Sequence, residues 1–214
     1  MASRYFFQKL MLQLIGLFLM TLGVAFSVKA DLGTSPIASL PYVLSLITPL
    51  SMGLLTFLMQ LSFTLIQIAI LRQQFKKIEL LQIPVAIVFG YFTNVTLSIV
   101  SSIEPSNYAM QWLFCLIGLV IVAFGTFLCV QSTFPMPAGG GLVKVLAQAT
   151  TIDFGRMKIA FDVTLVVVSA IIALISFGEL KSVREGTIFS AVFVGVCIRF
   201  FAKHIHLPTY KARP

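Results

Sequence analysis

The chain has 214 residues, of which 58% are apolar and only 10% charged, and its mean hydropathy is +1.01. Globular domains carry about 25% charged residues, so this chain lacks the polar surface to sit in water, and a soluble domain or secreted enzyme is excluded. The net charge of +8 does not describe a nucleic-acid surface, because Lys and Arg stand at the ends of apolar runs, as topology signals and headgroup anchors.

No charge occurs from Leu32 to Leu71, from Leu80 to Ile103 or from Pro105 to Val143. A helix needs about 20 mainly apolar residues to cross the hydrocarbon core, and the runs are continuous rather than alternating, which favours helices over a closed barrel. The predicted fold is therefore all-α and polytopic, with six crossings over 10–29, 52–71, 80–102, 110–130, 158–177 and 186–203.

Arg4 and Lys9 precede the first crossing, which resembles a secretory leader ending at Val28-Lys29-Ala30. Its apolar run is long for such a leader, so it is read as a retained span. Arg72, Lys76 and Lys77 follow the second crossing, Arg156 and Lys158 open the fifth, and Lys203, Lys211 and Arg213 follow the sixth. With both termini cytoplasmic, six crossings place nearly all of these inside, as the charge bias requires. The loop holding Lys181 and Arg184 is the exception, balanced by Glu179 and Glu185. Tyr108 and Trp112 suit the outer interface, and Lys29 with Asp31 reads as an ion pair at the same level.

Shifting the sequence by 102 residues aligns its two halves without a gap. Leu14-Ile15-Gly16-Leu17 meets Leu116-Ile117-Gly118-Leu119, Gly23 meets Gly125, Val43-Leu44 meets Val145-Leu146, and Gly53 meets Gly155. A small slip then pairs Gly90 with Gly195 and Asn94 with Arg199. The expected units are a membrane repeat over 1–105 and a second over 106–214, the latter ending in a short basic cytoplasmic tail. Three crossings per unit is an odd number, which turns the second copy over, as in many transporters.

Between the first two crossings of each unit lies a broken segment, 31–49 in one and 133–151 in the other. The first begins Asp31-Leu32-Gly33-Thr34-Ser35-Pro36, the second Phe134-Pro135-Met136-Pro137-Ala138-Gly139-Gly140-Gly141. Ser35 before Pro36 is a helix start, with Ser35 as the cap. About 13 residues follow, roughly 20 Å at 1.5 Å per residue, too short to cross. Both segments are expected to dip into the membrane and return, with a full crossing as the competing reading.

The N-termini of such short helices offer free N–H groups and a positive dipole end. Thr34, Ser35, Gly139, Gly140, Gly141 and Lys144 are accordingly the candidate solute contacts; the competing reading gives the glycines a packing role. The second crossing adds a polar stripe, Thr56, Gln60, Thr64 and Gln67, on one helical face. Its repeat mate carries Lys158, Asp162 and Ser169. A carboxylate inside a span costs about 2.5–3.5 kcal/mol, so Asp162 needs a partner, for which Lys158 is nearest, or a coupling task. Asn94 and Arg199 complete the candidates, Arg199 with snorkelling to headgroups as its alternative.

Cys115, Cys129 and Cys197 fall inside spans in an odd number and read as plain membrane thiols. His204 and His206 are too few for a metal site, and no hydrolase, zincin or phosphate-loop signature is present. Neither a metal, a cofactor nor an enzymatic activity is expected.

Gly23, the turn Ala30-x-Leu32-Gly33-x-x-Pro36, Gly53 opening the next span, and the Gly139–Gly141 run resemble the YczE/YyaS/YitT family of bacterial membrane proteins over about Leu14 to Phe200. That resemblance implies a multi-pass protein of the bacterial cytoplasmic membrane and supplies no reaction. Members of the wider group often carry a further soluble C-terminal domain, whose regulatory role is not expected of this chain.

The expected function is a transporter or permease for a small polar or anionic solute, with the lipid bilayer as the surrounding partner and room for a homo-oligomer. The alternative is a non-transporting accessory protein that positions another membrane component; a passive channel is a third reading.

Overall fold

A computed structural model describes residues 2–180 and 183–205. Lys181, His206, Lys211 and Arg213 lie outside the described residues. Among those described, every regular element is helical: α1 (Ala2–Ala30), α2 (Pro36–Ile47), α3 (Met52–Leu71), α4 (Gln82–Ile99), α5 (Tyr108–Ser132), α6 (Ala138–Thr150), α7 (Phe154–Phe177) and α8 (Glu185–His204), with two 3-10 turns between α3 and α4. Six of the helical stretches are long and apolar enough to cross a bilayer, which suits a multi-pass membrane protein. Their starts and ends lie within a few residues of the six predicted crossings.

The centre of the bundle is the α1–α5 pair, and glycine makes it close. A Cβ on Gly125 would stand 2.6 Å from Gly16 O and one on Gly118 would stand 2.7 Å from Gly23 O. Both distances are below any real Cβ contact, so only glycine lets these backbones approach. As the number rises along α1 it falls along α5, so the two helices are antiparallel. Phe26–Phe114 and Phe6–Phe134 ring contacts mark the ends of the same crossing. At matching positions both helices end on a left-handed residue, Asp31 at φ 53° and Thr133 at φ 60°.

The other helices are arranged around this pair in matched sets. α4 packs on α1 as α8 packs on α5; α2 lies against α7 as α6 lies against α3; and α2 touches α3 as α6 touches α7. Phe63 and Leu165, which the 102-residue shift pairs, share one buried cluster with the likewise paired Leu40 and Leu142 and with Met59 and Phe161.

The chain leaves α1 and enters α3 at the same end of the bundle. Lys29, in the last turn of α1, donates to Ser101 O just beyond α4 at 2.7 Å. At the start of α3, Gly53 N–H donates to Asn94 Oδ1 in the second half of α4 at 2.9 Å, and Asn94 Nδ2 donates to Ser51 Oγ at 3.1 Å. The 12 residues of α2 lie between those two points.

The expected Lys29–Asp31 pair is replaced by other partners. Lys29 takes the carbonyl of Ser101, while Asp31 O accepts from Arg184 Nη1 at 2.6 Å with its carboxylate at 3.4 Å. Asp31 stands at positive φ, which turns its carboxylate toward the start of α8. Gly186 N–H also donates to Leu32 O at 2.8 Å, tying 31–32 to α8. Ser35 is the first residue before α2, yet its side chain makes no cap bond; its carbonyl accepts from Ala38 and Ser39 instead.

Candidate functional site

A cavity of about 50 Å³ lies inside the bundle. Its walls are Met20 and Val24 of α1, Ile37 and Ala38 of α2, Met52, Thr56, Met59 and Gln60 of α3, Phe89 and Thr93 of α4, and Pro137 before α6. Met20, Gln60 and Phe89 each lie within about three residues of the middle of their spans, or about 5 Å along a helix axis. The cavity therefore sits near mid-bundle. Its volume has room for a few waters.

The first turns of the two short helices meet beside it. Pro137 lines the cavity, Ala138 and Gly139 follow, and a Cβ on Gly139 would collide with the Ile37 side chain at the first turn of α2. The leading N–H groups of a helix have no acceptor within it, so both short helices begin with such donors beside the cavity.

Most of the lining is apolar. Thr56 and Thr93 spend their hydroxyl protons on carbonyls one turn back, at 2.8 Å each, so they have no proton left to donate into the cavity. Gln60 differs. It is 2% exposed and its Oε1 has no hydrogen-bond partner. A buried acceptor left empty costs about 1–3 kcal/mol, and such groups in native proteins are rare and require a reason.

The polar stripe of α3 is buried along its whole length, with Thr56, Gln60, Thr64 and Gln67 all at or below 6% exposure. Below the cavity it closes onto α6. Gln67 Nε2 donates to Ala138 O at 3.1 Å and to Gln82 Oε1 at 3.0 Å, and Gln82 Nε2 donates back to Gln67 Oε1 and to Glu79 Oε2. A Cβ on Gly141 would press on Gln67 Oε1 at 2.8 Å. The repeat mate of that contact is Ser39 to Ser169, hydroxyl to hydroxyl at 2.9 Å in the core.

The remaining sequence candidates are dispersed. Gly140 has open space around it. Lys144 and Arg199 are exposed. Asn94 caps the start of α3. Thr34 is 1% exposed with an unpartnered hydroxyl, but it does not line the cavity. Asp162 is bonded to Lys158 one turn earlier, both partly exposed, and neither lines the cavity. His204 bonds the carbonyl of Phe200 at 2.9 Å, at the end of α8 rather than in a tail. Among the described residues no cluster of His, Cys, Asp and Glu has metal-binding geometry.

Several participants escape sequence reasoning. Gln82, Gln13, Thr93 and Ser39 are buried polar groups, and none belongs to a polar stripe as continuous as that of α3. Gln13 accepts from Ser132 Oγ at 2.6 Å and reaches Pro135 O at 3.4 Å, so it too holds the approach to α6. The available signal was simple: an amide inside a span is costly enough to need a bond.

No solved structure matches this chain. It is 28% identical over 195 residues to the Uncharacterized protein YyaS of Bacillus subtilis (strain 168), covering 91% of this chain and 90% of that one. The YyaS part of the resemblance read from Gly23, Gly33, Pro36 and Gly53 is thereby met. Residues 7–203 match the model of a family of unknown function, DUF6198, and the chain belongs to that family.

Proposed function

We propose that this protein is a permease for a small polar solute, built as two inverted repeats whose short helices are re-entrant and meet at the mid-bundle cavity. The observation that carries the reading is Gln60, a buried amide with an empty acceptor, among the residues that line a cavity beside the first turns of two short helices. The cavity in this conformation has room for water alone; in a wider one, a solute accepts from the leading N–H groups of α2 and α6 and donates to Gln60. No Lys, Arg, Asp or Glu lines the cavity, so a solute with both acceptor and donor groups fits better than a bare anion.

The antiparallel α1–α5 crossing supports the inversion. Exchanging the repeats turns the Gly16–Gly125 contact into Gly118–Gly23, which is also made. The wider grouping with YczE and YitT proteins belongs to the same proposal, as does placement in a bacterial cytoplasmic membrane with both termini inside.

The test is uptake into proteoliposomes of labelled small solutes, neutral, zwitterionic and anionic, by the native protein and by Gln60→Leu. Removing that hydrogen bond from a bound solute, at about 1.5 kcal/mol, lowers flux by about 10-fold. The same variant gains thermal stability, because it removes a buried unsatisfied oxygen. Solutes that move no faster than through empty vesicles, or equally through both proteins, overturn the reading. An accessory protein, by contrast, keeps its partner in the Gln60→Leu form.

A further inference from the structure

The matched packing of the two repeats fails at one place. α3 and α4 are fastened together, whereas their mates α7 and α8 hardly touch. In the first pair, a Cβ on Gly90 would stand 2.6 Å from Gly53 O, and Asn94 bonds across to Ser51 and Gly53. At the matching positions Gly195 has nothing within 4 Å, and Gly155 only its own cap, Asp153. The spans of α7 and α8 are each 17% buried, against 33% and 28% for α3 and α4.

The exception is not a fault of fastening elsewhere. α7 is held to α2 by Ser39 and Ser169, and α8 is held to 31–32 by Gly186 and Arg184. Each therefore keeps its other neighbours while the two are parted. Glycine within a helix costs about 1 kcal/mol against alanine. Gly53 and Gly90 offset this by close approach, whereas Gly195 does so nowhere in this conformation.

We infer that the chain has a second state in which α7 and α8 close on Gly155 and Gly195 while α3 and α4 part, the two repeats exchanging their conformations. The inference rests on the inverted-repeat reading. In that state Gln60 loses its α4 wall and is uncovered, and α8 closes over Lys158 and Asp162, the repeat mates of Thr56 and Gln60. Access to the central cavity is then gained from one side and lost from the other, by movement of one helix pair against another.

The test uses disulfide trapping in native membranes, with Cys197→Ser as the background because Cys115 and Cys129 are buried. Ser51 and Asn94 face each other between α3 and α4, Asn94 Nδ2 donating to Ser51 Oγ at 3.1 Å, so cysteines there meet without adding a Cβ at the glycine contact. Their mates are Asp153 and Arg199. Under mild oxidation Ser51→Cys with Asn94→Cys bridges in this conformation, and Asp153→Cys with Arg199→Cys bridges by capturing the second state. A state populated at only about 0.1–10% accumulates under irreversible trapping. In the four-cysteine protein the two bridges compete, so forming one lowers the yield of the other.

Phe154→Cys with Ala202→Cys repeats the trial at the mates of Met52 and Leu97, which pack in one cluster, in case the first pair does not fold. Absence of an intramolecular bridge in both second-repeat pairs, while the first-repeat pair forms, overturns the inference; so do bridges that join two chains. Solute uptake that depends on Gln60 without any α7–α8 bridge would leave the permease reading in place as a fixed pathway.

Discussion

Two amides lie two helical turns apart on α3 in opposite circumstances. Gln67 makes three hydrogen bonds, to both ends of the Gln82 amide and to Ala138 O, while Gln60 Oε1 makes none. Substitution by leucine should separate them by sign. Gln67→Leu leaves Gln82 Oε1 without its donor and removes the tie to α6 through Ala138 O, and is expected to lower stability by about 1–3 kcal/mol, read from unfolding of the purified protein in mixed micelles. Gln60→Leu should move the midpoint the other way. A neutral Gln67→Leu would mean that α6 is held in place by packing alone. The stripe to which both belong was legible, since steps of four, four and three residues select one face of a helix. Which of its members would be satisfied was not, because Gln82 and Ala138 come from elsewhere in the chain. For the same reason Lys144 and Arg199 read as site residues: spacing gives a face, and only packing gives the neighbour.

At the level of helices, glycine separates two kinds of contact that the sequence writes alike. Gly125 stands against backbone, with Gly16 O and Met20 N both inside 2.8 Å of where its Cβ would be. Backbone cannot swing aside, so Gly125→Leu should force α1 and α5 apart. The cost exceeds the 1–3 kcal/mol usual for overpacking a core, and the expected outcome is loss of folded protein in fluorescence-detected size-exclusion chromatography. Gly195→Leu meets open space and should leave the same profile unchanged, its stability within about 0.5 kcal/mol of native. Equal loss in both would show that α7 and α8 are normally packed. The proposed repeat rests on glycines that recur at Gly16 and Gly118, Gly23 and Gly125, Gly53 and Gly155. By the same token, the alignment predicts equal packing of α3–α4 and α7–α8, and it has no means of foreseeing that one pair is closed and the other parted.

For the molecule as a whole, the two ends of the bundle differ in charge. At the end where α1 begins lie Lys9, the Arg72–Lys77 turn and, since α7 runs toward Arg184, also Arg156 and Lys158; α8 finishes there at Lys203. The opposite end carries Lys29 and Arg184 together with Asp31, Glu104 and Glu185. Positive charge is retained on the cytoplasmic side, so the first end is expected inside. The decisive comparison uses exposed positions: Gln8→Cys, Gln74→Cys and Ser102→Cys, one at a time in the Cys197→Ser background. A membrane-impermeant maleimide added to intact cells should label Ser102→Cys alone, and the other two only after permeabilisation. Gln8 and Gln74 share a side only if α2 turns back, because two residues separated by α1, α2 and α3 lie on opposite sides when all three cross. Labelling of Gln74→Cys but not Gln8→Cys would thus make α2 a full span and the two repeats parallel, and the mid-bundle meeting of α2 and α6 would lose its meaning as a solute site.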